Sequence, residues 1–202
     1  MSPKLILALL AVLLSGCGPA DYLYPATSLK GEYRAVRPPP QTLAVVKVEQ
    51  IINFSCRHCY QAWKELEQLA LRANSRLEIV TLPIVFANGS EHATRLYHVA
   101  KRERGERQAI AAIFAAAFDE GKDLRNESAV IAVAEKLRLR EIYMREKGAP
   151  WVNAAIAGDR ARAARYDLSR TPSWVIAEQW IVKPDASNMR LIIDDLLQLQ
   201  LP

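Results

Sequence analysis

The sequence predicts an α/β protein in which an all-helical segment interrupts one strand-and-helix domain. Residues 42–90 have the pattern of a strand, a helix and a second strand, and residues 169–202 have that of a hairpin followed by a helix. Between them, residues 91–168 show helical periodicity almost throughout. Because strand, helix and strand in succession is typical of a parallel pair with a helical crossover, we expect the two outer parts to share one sheet.

The N-terminus has the features of a secretion signal. Lys4 precedes an apolar run over residues 5–14, which is far shorter than the roughly 20 residues that a helix needs to cross a bilayer. We therefore expect residues 1–16 to be removed. The run ends in Leu-Ser-Gly-Cys, which resembles the lipobox of bacterial lipoproteins. The resemblance implies that Cys17 carries a lipid; a plain signal peptide is the alternative.

Residues 17–41 are expected to form a Pro-rich tether, with three consecutive prolines at 38–40. Proline-rich chains stay extended at about 3 Å per residue, so this tether would hold the folded body away from the membrane. Gly18, in place of Asp, follows Cys17 and resembles the outer-membrane sorting pattern. We therefore expect a periplasm-facing, lipid-anchored protein of the bacterial envelope, at the outer rather than the inner membrane.

The first part of the strand-and-helix domain begins with residues 43–54, which are rich in β-branched residues and end at Ser55. This composition predicts a buried strand. Apolar residues then recur every three or four positions from Tyr60 to Ala70, which predicts an amphipathic helix. Residues 77–83 are expected to form the second strand.

The helical insertion contains alanine-rich stretches at 110–118 and 130–139, and Gly121 and residues 148–150 are expected to divide it into several helices. The strand pattern returns at 173–177 and 180–183, with a turn between the two runs. A last amphipathic helix follows, for which Ser187 or Asn188 is the expected N-cap.

The composition excludes some classes of function. The formal net charge is +5, without a dense stripe of Lys and Arg, so nucleic-acid binding is not expected of this exported chain. If Cys17 is lipidated, only Cys56 and Cys59 remain of the three cysteines. A chain of this length can bury a core without disulfide staples, so this pair is available for chemistry.

Cys56 and Cys59 stand three positions apart at the predicted start of a helix. Unpaired backbone N–H groups and the helix dipole stabilise a thiolate there, which makes Cys56 the better nucleophile and the better leaving group. Arg57 and His58 lie between the two thiols and can add positive charge near the sulfur, which favours the reduced form and an oxidising disulfide. The pattern predicts a redox centre.

The segment Phe-Ser-Cys-Arg-His-Cys-Tyr-Gln between a strand and a helix resembles the DsbA branch of the thioredoxin-fold oxidoreductases. His58 matches the Pro-His dipeptide typical of that branch, whereas Arg57 departs from it. The resemblance covers roughly residues 42–200 and includes Thr171 and Pro172 before a hairpin strand. It implies a thioredoxin fold with an all-helical insertion, a cis bond before Pro172, and substrate binding by the backbone of Thr171.

The same resemblance implies an activity and partners. Cys56 would be the nucleophile, Cys59 would resolve the mixed disulfide, and Arg57 and His58 would tune the thiolate. The substrates would be cysteine-containing envelope proteins, and a DsbB-type membrane quinone reductase would remove the electrons. No metal or organic cofactor is implied. A dithiol oxidase is the leading interpretation.

Other interpretations remain open. The Cys-x-x-Cys spacing also occurs in zinc sites, but such sites normally need four ligands and the chain has no second cysteine pair. A structural disulfide is a further alternative. Thr before the proline also occurs among isomerases of DsbC and DsbG type, yet those dimerise through an N-terminal domain for which the tether is too short. A binding or chaperone module with incidental cysteines is the alternative from another class.

One position departs from the common thioredoxin pattern. A buried carboxylate usually lies six residues before the first cysteine, and Gln50 occupies that position here. Glu49 is adjacent, but alternation along a strand places it on the opposite face. We therefore do not expect Glu49 to accept the proton of Cys59.

Overall fold

The computed structural model describes residues 29–36, 45–168 and 170–198. The predicted signal segment and residues 17–28 and 37–41 of the predicted tether, including Cys17, lie outside these ranges. The described chain contains five strands and seven helices. The strands are β1 (Tyr33–Ala35), β2 (Val46–Ile52), β3 (Leu77–Pro83), β4 (Ser173–Ile176) and β5 (Trp180–Val182). The helices are α1 (Arg57–Arg72), α2 (His92–Arg102), α3 (Glu106–Phe118), α4 (Glu127–Lys136), α5 (Arg140–Glu146), α6 (Pro150–Ala164) and α7 (Ala186–Gln198).

The strands form one mixed sheet in the order β1-β5-β4-β2-β3. β2 and β3 are parallel and are joined through α1, as the sequence predicted. The other neighbouring pairs are antiparallel. Side chains alternate between the two faces of a strand, so Val48 and Gln50 of β2 share one face, and Glu49 and Ile51 share the other.

Helices cover both faces of this sheet. α1 and α7 pack on the face that carries Val48 and Trp174, where their leucines and isoleucines complete an apolar core. On the other face, Ala163 of α6 packs with Ile51 and Val175. β2 is therefore buried on both sides, and its buried polar residues, Glu49 and Gln50, need partners within the protein.

The insertion between β3 and β4 consists of helices α2 to α6, as predicted. Its core is continuous with the residues around the cysteine pair, because Phe54 and Tyr60 pack against Phe114 of α3 with ring centres 5.3 Å apart in both pairs. Cys59 and Trp63 belong to the same buried cluster. The insertion therefore forms one wall of the region that holds the two thiols.

Part of the predicted tether belongs to the folded body. Residues 33–35 were expected to lie in the tether, but they form β1 and pair with β5. An unpaired strand edge exposes backbone donors and acceptors, and β1 satisfies those of β5. Leu29, only 5% exposed, packs into the core beside α7. A three-residue strand has too little periodicity for a sequence pattern to detect.

The start of α7 also differs from the prediction. The carboxylate of Asp185 accepts a hydrogen bond from the backbone N–H of Asn188 at 2.8 Å, so Asp185 caps the helix. The Asn188 side chain instead accepts from the backbone N–H of Glu32 at 2.7 Å and donates to the carbonyl of Glu32 at 2.7 Å. Asn188 thus fastens the N-terminal segment to the body.

Within the described ranges, every helix is too short or too polar to cross a lipid bilayer.

Candidate active site

Cys56 is the N-cap residue of α1, as the sequence predicted for a helix start. Its backbone is extended, with φ −102° and ψ 111°, and its Sγ accepts a hydrogen bond from the backbone N–H of Cys59 at 3.3 Å. A sulfur in this position takes the place that a Ser or Asp oxygen occupies at other helix starts. Cys56 is half-buried, so its sulfur is within reach of another molecule.

The side chain of Asn53 stabilises the turn that places Cys56 at the start of α1. Its side-chain oxygen accepts from the backbone N–H of Ser55 at 2.7 Å, and its amide donates to the carbonyl of Ile84 at 2.9 Å. Asn53 is not among the residues that the sequence motifs indicate. An Asn two positions before a turn residue at the end of a strand is the signal that could have identified it.

Cys59 lies in the first turn of α1 and is fully buried. Burial raises the pKa of its thiol to about 12, and the hydrogen bond with Cys56 acts in the same direction. The backbone N–H of Asn53 donates to the Cys59 sulfur at 3.5 Å and opposes that shift. Both thiols are free. The two cysteines therefore differ in access: Cys56 faces outward and Cys59 is enclosed.

Thr171 and Pro172 lie against Cys56, although they are far away in sequence. The peptide bond between them is cis, as expected. The Cys56 thiol donates to the carbonyl oxygen of Thr171 at 3.6 Å. β4 begins at the next residue, Ser173, which pairs with Ile51 near the end of β2. The sheet itself thus brings the loop to the cysteine pair.

A groove of about 690 Å³ opens beside the pair. One wall is α1, with His58 and Gln61, and the other is the loop that holds Thr171 and Pro172. Trp174 lines the same groove, and the stretch from Pro184 to Ala186 closes its far side. Its walls mix polar and apolar groups, which suits an extended peptide.

The two residues between the cysteines point in different directions. His58 is exposed and lines the groove. The guanidinium carbon of Arg57 lies 5.0 Å from the centre of the Phe118 ring, at the end of α3. Both residues were expected to place positive charge near the sulfur; in the structure, Arg57 contacts the insertion. A role in tuning the thiolate stays a prediction for both.

Tyr60 makes a second connection between α1 and the end of α3. Its hydroxyl donates to the Asp119 carboxylate at 2.6 Å, and this hydrogen bond raises the pKa of Tyr60. Its ring stacks on Phe118 at 5.8 Å. Sequence reasoning did not identify Phe118 or Asp119, because no pattern indicates which residues of a helical insertion face the cysteines.

The strand below the pair carries Gln50 and Glu49 on opposite faces, as expected. Gln50 lies on the face of α1 and donates to the Thr81 hydroxyl at 2.8 Å. Glu49 lies on the other face and pairs with Arg162 of α6, whose Nε donates to it at 2.9 Å. The neutral pair of Gln50 and Thr81 therefore lies on the face of the sheet that α1 covers, and the ion pair of Glu49 and Arg162 lies on the face that α6 covers.

Residues 47–196 match the family model described as the DSBA-like thioredoxin domain. No curated protein sequence matches the chain.

Solved structures share the fold. The crystal structure of the oxidoreductase DsbA from Xylella fastidiosa matches with a TM-score of 0.70 at 20% identity, covering 84% of this chain and 95% of that one. Pseudomonas aeruginosa DsbA matches with a TM-score of 0.68 at 15% identity, covering 84% and 92%. NmDsbA1 from N. meningitidis matches with a TM-score of 0.64 at 19% identity, covering 85% and 92%.

These matches confirm the predicted thioredoxin fold with its helical insertion. The family model spans both parts of the sheet domain and the helices between them. The chain belongs to the family of DSBA-like thioredoxin domains.

Proposed function

We propose that the protein is an exported thiol–disulfide oxidoreductase that introduces disulfides into envelope proteins, with Cys56 and Cys59 as its redox pair. One observation carries the proposal: the accessible Cys56 sulfur lies at the start of α1, 3.6 Å from the Thr171 carbonyl, with Cys59 buried behind it. Disulfide exchange needs an accessible nucleophilic thiol and a second thiol that resolves the mixed disulfide, and Cys56 and Cys59 have these positions. The backbone of Thr171 lies beside them.

The first step forms a mixed disulfide. A substrate thiolate attacks the Cys56 sulfur of the oxidised pair, and the bond between Cys56 and Cys59 breaks. Cys59 leaves with the electron pair and then takes up a proton, which its raised pKa favours at neutral pH. The backbone N–H of Cys59, directed at the Cys56 sulfur, stabilises negative charge there.

The second step releases the product. Another thiolate of the substrate attacks the substrate sulfur that is bound to Cys56, and Cys56 leaves as a thiolate. The substrate has then lost two electrons and two protons, and the cysteine pair has gained the two electrons. We infer that a DsbB-type membrane quinone reductase removes them, as the family resemblance implies.

The groove beside the pair is the proposed substrate site. The backbone at Thr171 would pair with an extended substrate, and Pro172 would hold the loop against Cys56. Trp174 belongs to the groove lining but is only 1% exposed, so the exposed side chains of His58 and Gln61 are the ones that a substrate would meet there. We expect an unfolded or extended segment around the substrate cysteine to bind better than a folded surface.

The equilibrium of the pair against glutathione tests the direction of the reaction. A reduction potential of about −120 mV is expected of an oxidase, whereas a value of about −270 mV would defeat the oxidase proposal and favour a reductase. An isomerase of DsbC or DsbG type would instead restore the native disulfides of a protein whose disulfides are mispaired, without any added oxidant.

Two cysteine variants separate exchange from a binding or chaperone role. Cys56→Ala is expected to abolish oxidation of a dithiol peptide, and a chaperone would keep its function after the same change. Cys59→Ala keeps the nucleophile and is the matched variant. It should accumulate mixed disulfides with substrates, because the resolving thiol is missing.

A further inference from the structure

A second groove adjoins the active-site groove. It has a volume of about 500 Å³ and lies between the end of β5 and the segment that follows α6. Arg34 of β1, Asp167 and Lys183 are among the residues that line it. Arg170 and Pro184 line both grooves, so these two residues form the border between them.

The backbone of Arg170 is held next to the contact between Thr171 and the reactive sulfur. The carbonyl of Arg170 accepts a hydrogen bond from the Ser173 hydroxyl at 2.8 Å. The next residue is Thr171, whose carbonyl accepts from the Cys56 thiol at 3.6 Å. The long Arg170 side chain therefore begins one residue from the place where the substrate backbone is proposed to pair.

Several charged side chains that line the two grooves already have partners. The Lys64 ammonium lies 4.0 Å from the centre of the Tyr60 ring. Lys183 pairs with Glu32 at 2.7 Å. The Asp185 carboxylate caps α7. These groups are less available to a bound substrate than a charge without a partner.

Arg170 is an exposed cation of the latter kind. Among residues 29–36, 45–168 and 170–198, none forms an ion pair or a side-chain hydrogen bond with its guanidinium. A guanidinium can bind a carboxylate through two parallel hydrogen bonds, which makes Arg well suited to recognise Asp or Glu.

The remaining carboxylates of the grooves lie farther along the chain from the reactive sulfur. Glu65 is nine positions after Cys56 in α1, which corresponds to about 13 Å along the helix axis. Asp167 is four positions before Thr171, whereas Arg170 is directly before it. The first turn of α1 contains no acidic residue. The charged side chain next to Thr171 in the chain is therefore a cation.

We infer that Arg170 determines substrate specificity: its guanidinium pairs with an acidic side chain close to the cysteine of the bound substrate. The preferred substrates are extended segments with Asp or Glu on one flank of the reactive cysteine. A chain that pairs with Thr171 passes Arg170 in one direction and leads away from it in the other, so one flank alone is selected. This inference rests on the proposed disulfide exchange at Cys56.

The test measures how fast Cys56 reacts with peptides that differ in one charge. Every protein is the full chain with Cys17→Ser and Cys59→Ala, so Cys56 is its one remaining thiol. Each peptide carries a single cysteine as a mixed disulfide with thionitrobenzoate. The Cys56 thiolate attacks the peptide sulfur and forms a new disulfide with it, and thionitrobenzoate leaves with the electron pair as a coloured thiolate. Its absorbance gives the rate.

Glu, Gln or Lys is placed next to the peptide cysteine, before it in one set of peptides and after it in another. Exposed ion pairs are weak, so Arg170→Gln should lower the ratio of the Glu rate to the Gln rate about threefold in one set and leave the other set unaltered. Arg170→Glu should make the Lys peptide the fastest of the affected set. Comparing ratios between proteins cancels the effect of each charge on the reactivity of the peptide itself.

Arg72→Gln is the matched control. It removes the same charge from an exposed residue at the far end of α1 and should keep both ratios. Unchanged ratios in both Arg170 variants would overturn the inference. Equal changes in both sets, or the same change in Arg72→Gln, would also overturn it, because they would indicate the net charge of the protein rather than a contact.

This experiment separates the inference from the proposed function. The reaction uses only the attack of Cys56, so the charge preference is measurable whether the protein oxidises, reduces or isomerises its substrates. A Cys56 that reacts with every peptide at the same rate would defeat the inference and leave the proposed function standing. A Cys56 that reacts with none of them would defeat the proposed function, and the inference with it.

Discussion

The guanidinium of Arg57 lies over the ring of Phe118, so a residue between the two cysteines contacts the helical insertion directly. Together with the hydrogen bond from Tyr60 to Asp119, this contact ties the first turn of α1 to the end of α3. A displacement of α3 would therefore also move Arg57 and Tyr60, which are the neighbours of the two cysteines in the chain.

The pair of Arg57 and Phe118 should show measurable coupling. A cation over an aromatic ring at an exposed site contributes about 0.5–1 kcal/mol. We expect a double-mutant cycle with Arg57→Ala and Phe118→Leu to give a coupling energy of that size in urea unfolding of the reduced protein. Strictly additive effects would mean that the two side chains do not interact in solution. A second cycle, with Lys64→Ala and Phe118→Leu, is the control. Lys64 is in the same helix as Arg57, but its ammonium contacts the ring of Tyr60 rather than that of Phe118.

Reduced protein should lose stability at alkaline pH because of Cys59. Burial raises the pKa of this thiol from 9.0 to about 12 in the folded state. Above about pH 9 the unfolded chain loses the proton while the folded chain keeps it, so the free energy of unfolding falls by up to about 1.4 kcal/mol per pH unit. The contribution is fully present below pH 9 and is lost as the pH approaches 12.

The control for this effect is Cys59→Ala, which removes the titrating thiol and keeps every other ionisable side chain of the protein. The difference between the unfolding free energies of reduced wild type and variant should change across that pH window. Curves that stay parallel from pH 8 to pH 11 would contradict the assignment.

Removing Arg162 alone from its ion pair with Glu49 should strongly reduce the free energy of unfolding. The Glu49 side chain is 1% exposed, so Arg162→Met leaves a buried carboxylate without its partner. Losses of about 3–5 kcal/mol are typical of such changes. Chemical unfolding at neutral pH measures the loss, and the double variant Glu49→Gln with Arg162→Met should regain part of it.

Arg107→Ala is the matched surface control. Arg107 pairs with Glu67, but its side chain is 58% exposed. Exposed pairs contribute about 0–1 kcal/mol, so this variant should unfold almost like wild type. Equal losses for the two arginine variants would show that burial does not set the strength of these pairs.

Asn188→Ala should release the N-terminal strand. The Asn188 side chain satisfies both the N–H and the carbonyl of Glu32, and its loss leaves these groups without that partner. We expect a loss of about 1–3 kcal/mol and faster hydrogen exchange at the amide of Val36, which donates to Gln179 at 2.7 Å. Ser187→Ala changes an exposed neighbour in the same helix and should leave this exchange rate unaltered.

The sequence predicted the features that depend on local pattern. Alternation and helical periodicity located β2, α1 and β3, and the thiol spacing at a helix start located Cys56. The cis bond before Pro172 followed from the family resemblance rather than from the residues alone. The direction of Arg57 and the strand at 33–35 could not be predicted, because each depends on a partner distant in the chain: Phe118 and β5. The cap at Asp185 is different, because its partner is the N–H of Asn188, three residues further on. An Asp directly before a helix is a local N-cap signal, and the expectation of Ser187 or Asn188 overlooked it.

The two faces of β2 carry different kinds of polar pair. The ion pair of Glu49 faces α6, and the neutral pair of Gln50 and Thr81 faces the helix that holds the thiols. A substitution at Glu49 therefore alters the packing of α6 on the sheet, and one at Gln50 alters the face of the sheet that α1 covers. Adjacent positions of a single strand thus serve opposite faces, so the polar pair of one face can be replaced without removing that of the other.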